Sequence, residues 1–173
     1  MPFTPFHFGP GALIKACAPR HVSFTVFVFA QVLIDIEPLY YMLRGEYPLH
    51  RLFHSYIGAT LIVAAAYFLG RPICGLALAI MKTNLKPTIE SLLAAARSIP
   101  RLPALIGAIA GAYSHVFLDS IMHSDLRPLA PFADSNNLFL AVSVFELHLY
   151  CAIAGLVGAV VLGFWWLVAK EST

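Results

Sequence analysis

Charge is scarce in this chain: only 12% of its 173 residues are Asp, Glu, Lys or Arg, and their formal sum is +2. So small a balance, with basic residues scattered instead of gathered into a stripe with aromatics, excludes a nucleic-acid-binding surface. Cysteine is almost as rare. Cys17, Cys74 and Cys151 stand singly in apolar surroundings, which excludes a disulfide frame and a CxxC metal site and makes them small buried hydrophobes. No basic segment and small-residue cleavage pattern bracket an apolar run near Met1, so no cleaved signal peptide is expected, and the first spanning helices act as the insertion signal. Internal repeats and low-complexity tracts are lacking too.

What fills the chain is apolar: 60% of the residues are hydrophobic and the mean hydropathy is +0.79, a composition whose natural solvent is lipid. Four stretches reach or approach bilayer-spanning length. They are Val22 to Leu43, Phe53 to Leu69 with an extension past Arg71 to Met81, Leu102 to Met122, and Leu138 to Ala169. Between Arg71 and Pro103, the run Thr88 to Ser98 gathers Ile89, Leu92, Leu93 and Ala96 on one helical face, suiting a helix that lies on the membrane surface. The expected fold is all-α: a polytopic membrane bundle of four full transmembrane helices, a short N-terminal half-helix and an interfacial amphipathic helix, in one domain over residues 1–173.

Orientation follows from where Lys and Arg fall in the short loops. With the 71–101 loop in the cytoplasm, Lys15, Arg20, Arg71, Lys82, Lys86, Arg97, Arg101 and Lys170 lie inside, and only Arg44, Arg51 and Arg127 lie outside. This places the protein as multi-pass in a cell inner membrane. It also sends one set of polar residues to a single, extracytoplasmic face: Asp35 and Glu37 end the first span, His50 and His54 begin the second, and His115, Asp119 and His123 end the third.

That set has metal-binding chemistry. His115, Asp119 and His123 recur every four residues and so share one stripe of a helix, and His50 and His54 repeat the spacing. Asp35 and Glu37 are two apart and converge only where the chain unwinds, next to Pro38. Charges kept in spans cost roughly 2.5–3.5 kcal/mol each, so several at one depth argue for pairing or a bound ion. With His7 there are eight candidates. One tetrahedral zinc takes four, which leaves the surplus as supporting partners or as a second ion roughly 3.5–4 Å from the first. The competing reading is that these groups merely hydrogen-bond helices together. His21 reads as a helix start, and Glu146 and His148 as helix-packing partners.

These residues carry a family resemblance. Met1-Pro-Phe-Thr-Pro-Phe-His7-Phe-Gly-Pro-Gly, Asp35-Ile-Glu37-Pro, His50-Arg51-Leu-Phe-His54-Ser55, and Ser114-His115-Val-Phe-Leu-Asp119 followed by Pro128-Leu-Ala-Pro131 resemble the membrane-bound metal-dependent hydrolases of the YdjM-like, inner-membrane-associated group, over about residues 7 to 131. The resemblance implies a multi-pass bacterial or archaeal membrane protein, distantly similar to zinc-dependent phospholipase C and single-strand nuclease helical folds. It puts metal-ligand roles on His7, Asp35, His50, His54, His115 and Asp119. The chain departs from the family pattern at Ile34-Asp35-Ile36-Glu37-Pro38, where Pro-Asp-x-Asp-His is usual, and at Phe53, where Thr is usual. His123 and Asp125 are candidates to replace the missing ligand.

The function these observations lead to is a membrane-embedded hydrolase in which a divalent metal, zinc or alternatively manganese, as one or two ions, activates water against an ester or phosphoester. Glu37 and His123 are the candidates for ligand or general base, and Arg51 for neutralising a phosphate oxygen. The expected partners are the lipid bilayer and a lipid or phosphoester substrate, without nucleic acid. The alternatives are a metal-ion or proton transporter, and a non-catalytic membrane adaptor with a structural metal site.

Overall fold

In a computed structural model, which describes residues 5–82 and 88–171, all the regular structure is helical. A 3₁₀ turn, Pro5–His7, leads into α1 (Phe8–Cys17); α2 (Phe24–Ile34) and α3 (Ile36–Leu43) follow as two parts of one rod. Next come α4 (Tyr56–Ala65), a π-helical turn (Ala66–Gly70) and α5 (Arg71–Lys82), then the short α6 (Ile89–Ala96), the long α7 (Arg101–Met122) and α8 (Val144–Glu171). Four helical stretches are long and apolar enough to cross a membrane: Phe24–Leu43, Tyr56–Met81, Arg101–Met122 and Val144–Lys170. Lipid offers no partner for backbone N–H and C=O groups, so an apolar run there must close its own hydrogen bonds as a helix.

The expected bundle of four spans, a half-helix and a short amphipathic helix is what the chain forms. Its boundaries are set by local chemistry that hydropathy does not report. The second span begins at Tyr56, not Phe53, because the Ser55 side chain caps it by accepting from Gly58 N at 3.0 Å. It runs through the π-helical turn to Met81, the longer of the two extents read from the sequence. The fourth starts at Val144, since residues 138–143 form turns. α6 starts on a capping box between Thr88 and Ser91. It rests Ala95 against Gly75 of α5, while Ile89, Leu92 and Leu93 point outward. The opening residues 1–4 of the quoted motif and Lys86 lie outside the described residues.

α7 is the central helix. Ala104, Ala108 and Ala112 are fully buried in it, and Gly107 and Gly111 face α2 so closely that a Cβ on them would lie 2.4 Å from Ser23 O and 2.6 Å from Phe27 O. Helices in lipid gain little from burying apolar surface against each other, so small residues that let backbones approach supply the packing. α4 packs on another side of α7, and the core is closed by Val26, Ala30, Ile34, Ala59 and Ile62. α8 is held chiefly by α1, where Gly9 lies so near Cys151 O that a Cβ would approach it to 1.9 Å; most of its large apolar side chains face outward.

Candidate metal centre

Pro38 sets the first element of the site. It has no N–H to give to Ile34 and its ring crowds that carbonyl, so the rod breaks between α2 and α3. Asp35 sits at the break and Glu37 just after it, and the two carboxylates diverge. Asp35 Oδ1 lies 3.4 Å from His115 Nε2 and 4.0 Å from His54 Nε2. Glu37 turns to the 51–54 segment and accepts from Arg51 N and Phe53 N, each at 3.1 Å, and from His54 Nδ1 at 3.2 Å.

His115 and Asp119, one turn apart on α7, point into the same space, with His115 Nε2 3.1 Å from Asp119 Oδ2. His54, immediately before the Ser55 cap, brings its Nε2 to 3.5 Å from the same oxygen. The donor atoms of Asp35, His54, His115 and Asp119 all lie within 4.8 Å of one another, and all four residues are buried. The other Asp119 oxygen, Oδ1, meets His7 Nε2 at 3.4 Å and His123 Nε2 at 3.9 Å. His7 reaches it from the 3₁₀ turn ahead of α1, edge-on to the His115 ring. His123 is not a third member of the helical stripe: it terminates α7 with extended backbone (φ −115°, ψ 120°) and stacks on His50 at 4.2 Å. His50, His123 and Asp125 form a second group adjoining the first.

The proton positions can be read from the partners. Ser114 Oγ donates to Gly111 O, so it accepts from Gln31 Nε2 at 3.2 Å, which turns the Gln31 carbonyl oxygen toward His115 Nδ1 at 2.6 Å. That acceptor holds the proton on Nδ1 and so makes Nε2 the nitrogen that can bind a metal. Glu37 does the same for His54. Asp125 does it for His50, accepting from Nδ1 at 2.9 Å while also receiving Leu49 N and His50 N. With Nδ1 so engaged, His54 Nε2 and His115 Nε2 face carboxylate oxygens at 3.1–4.0 Å, where a proton or a metal ion can sit between them.

Those two nitrogens, with both nitrogens of His7, are buried and lack hydrogen-bond partners. Buried polar atoms are nearly always satisfied, and here all but His148 Nε2 of the unsatisfied side-chain atoms among the described residues belong to three histidines grouped around two carboxylates. Imidazole nitrogen with carboxylate oxygen is a donor set for zinc and other divalent first-row ions. The residues present fit a metal ion.

Burial keeps His7 and His50 neutral, lowering each from 6.5 to about 4, with His54 and His123 adding to the effect at His50. His123 is lowered as well, by burial first. Burial works against ionisation of Asp125, yet its hydrogen bond from His50 holds the carboxyl below its usual range. Neutral imidazole is the metal-binding form.

Of the residues read from the sequence, the fold gathers His7, Asp35, His54, His115 and Asp119 around one space and sets His50 and His123 beside it. Glu37 positions His54, with its carboxylate already occupied by three N–H donors. The Arg51 guanidinium stacks 3.5 Å from the Tyr41 ring centre and bonds Pro48 O and Glu46. The sequence reading missed Gln31. Its signal was present: an amide within the apolar run Phe24–Ile34, four residues before Asp35 and so on the same helical face. A cavity of about 400 Å³ opens over Asp125, lined also by Tyr47, Pro48, Asn136 and Phe139. Beside Asp125, the side chain of His123 is 23% exposed, against 4% or less for His7, His54, His115 and Asp119. Compared with family models, curated proteins and solved structures, the chain matches none.

Proposed function

We propose that this chain is a membrane-embedded metal-dependent hydrolase acting on an ester or phosphoester carried by a lipid or lipid-linked molecule, with its site at the extracytoplasmic face. The observation that carries the reading is the convergence of His54 Nε2, His115 Nε2 and the His7 ring, all buried without a hydrogen-bond partner, on the carboxylates of Asp35 and Asp119. Asp35, His54, His115 and Asp119 would hold one ion. Asp119 presents its second oxygen to His7 and His123, with His50 alongside, and this split favours a second ion sharing that carboxylate. A divalent ion such as zinc, when bound, supplies a Lewis acid and lowers the pKa of water to about 7.

The chain's own residues supply the rest. Gln31, Glu37 and Asp125 orient three imidazoles so that their Nε2 atoms are free to bind. His123 is the imidazole with an exposed edge, which supports it over Glu37 as the group that passes a proton to solvent. The Arg51 pairing with Glu46 and Tyr41 supports a role in shaping the 46–51 loop rather than in neutralising phosphate. The transport reading lacks a route. Beyond the cluster, the facing surfaces of α2, α4 and α7 are closed by Val26, Ala30, Ala59, Ile62, Ala108 and Ala112, where a conduction path needs polar groups through the bilayer.

The test is metal analysis of the detergent-purified protein together with hydrolysis assays on phospholipids and simple phosphodiesters, comparing wild type with His115→Ala and Asp119→Ala. One or two ions per chain and turnover that falls at least about 100-fold in both variants are expected. A metal-free protein unaffected by either substitution would overturn the reading, and metal retained without turnover on any substrate would favour the structural adaptor.

A further inference from the structure

At the end of the bundle opposite the His/Asp centre, a cavity of about 590 Å³ lies between the turn joining α1 to α2, the latter part of α5 and the start of α7. That volume is in the range of small-molecule sites. Much of its wall is apolar, from Val22, Phe24, Leu78, Ile99 and Pro103, and its polar lining is Lys15, Arg20 and the hydroxyls of Ser23, Thr25 and Ser98. None of the lining residues is Asp or Glu.

The cations there are held by neutral groups. The Lys15 ammonium donates to the carbonyls of Pro19 and Val22, and Arg71, behind the same wall, donates to Ile99 O and Arg97 O. Among the described residues neither cation forms an ion pair with a carboxylate. Burial already pushes the Lys15 ammonium below its ordinary pKa, the response of a cation partly removed from water without a counter-ion. Arg20 is exposed. α2 and α7 both begin at this cavity, adding the positive ends of two helix dipoles. Because two spanning helices start here, the cavity sits at the depth where apolar tails give way to headgroups.

We propose that this cavity binds one anionic phospholipid, with its phosphate between Lys15 and Arg20 and its acyl chain along Val22, Phe24, Leu78 and Ile99. The cations select against a zwitterionic lipid, and the apolar wall selects against a free anion. The site is separate from the metal centre and does not depend on the hydrolase reading.

Native mass spectrometry of the purified protein, after incubation in mixed micelles holding equal phosphatidylglycerol and phosphatidylcholine, tests this. Each cation near an anionic lipid contributes about fivefold, so wild type is expected to retain phosphatidylglycerol roughly 30-fold over phosphatidylcholine. Arg20→Gln should lose about fivefold of that preference, and Arg20→Lys should keep it. Ala79→Phe, which fills the cavity from α5 and alters no charge, should lower retention of both lipids. Arg20 is exposed, so its substitution tests the site without disturbing the turn that Lys15 holds. Equal retention of the two lipids by wild type, unchanged preference in Arg20→Gln, or displacement of the lipid by millimolar inorganic phosphate would each overturn the proposal.

Discussion

At the residue scale, the site depends on which nitrogen of each histidine is bare, and that is decided by residues that need not touch a metal. Gln31→Leu removes the acceptor that keeps the proton on His115 Nδ1, so the ring loses its tautomeric bias while its packing volume is kept. Metal affinity is expected to fall 10- to 100-fold, read by chelator competition, with little change in thermal stability; unchanged affinity would show that Gln31 does not set His115 for binding. His50 gives a pH signature. Its folded-state value of about 4 lies below the ordinary 6.5, so below pH 6.5 the unfolded chain takes up the proton that the folded chain refuses. Its contribution is therefore complete above pH 6.5 and is lost as the pH falls toward 4. Metal-stripped protein should melt at progressively lower temperature across that window, and His50→Gln should flatten the slope. The histidines and aspartates were legible in the sequence because ionisable groups stand out in an apolar chain. Gln31 was not, since an uncharged amide does not register as a ligand until its partner is seen. Glu37 was legible as a polar group but not in its role, because its three N–H partners come from a turn 14 to 17 residues away.

At the element scale, the spans were legible from hydropathy and their ends were not, because a cap such as Ser55 or a proline such as Pro38 is one residue acting on one hydrogen bond. Pro38 joins fold to function. It breaks the rod at Asp35, whereas an uninterrupted helix would continue past this position with a different direction for the carboxylate. Pro38→Ala restores the missing donor to Ile34 O, so the rod is expected to become more stable by up to about 3 kcal/mol while metal affinity drops. Paired melting and metal titration check it; a stabilised variant with undiminished metal binding would separate the break from the site. Gly111 is the converse case. Gly111→Val puts atoms where Phe27 O already lies, pushing α2 from α7, and should cost about 1–3 kcal/mol. It should loosen Gln31 and Asp35 together, since both ride on the end of α2.

At the scale of the whole molecule, the chain separates two chemistries to opposite ends of one bundle. The His/Asp centre lies where α2 and α7 end, and Lys15, Arg20, Arg71, Arg97 and Arg101 lie where those helices begin. Sequence could state this polarity because the cations and the His/Asp groups fall at opposite ends of the first and third spans, and counting loop cations gives an expected direction. It could not state that α1 delivers His7 to the centre. That depends on Gly9 meeting Cys151, a contact between chain segments 142 residues apart. The orientation can be tested in cells. In a chain whose Cys17, Cys74 and Cys151 are replaced by Ala, Glu46→Cys puts one thiol in the loop between the first two spans, on the side of the metal centre. A membrane-impermeant maleimide should label it in intact spheroplasts, without permeabilisation. Labelling that appears only after the membrane is opened would reverse the orientation. It would move the metal centre to the cytoplasmic face and the basic cavity to the outer one, where the positive-inside rule gives no reason for five cations to gather.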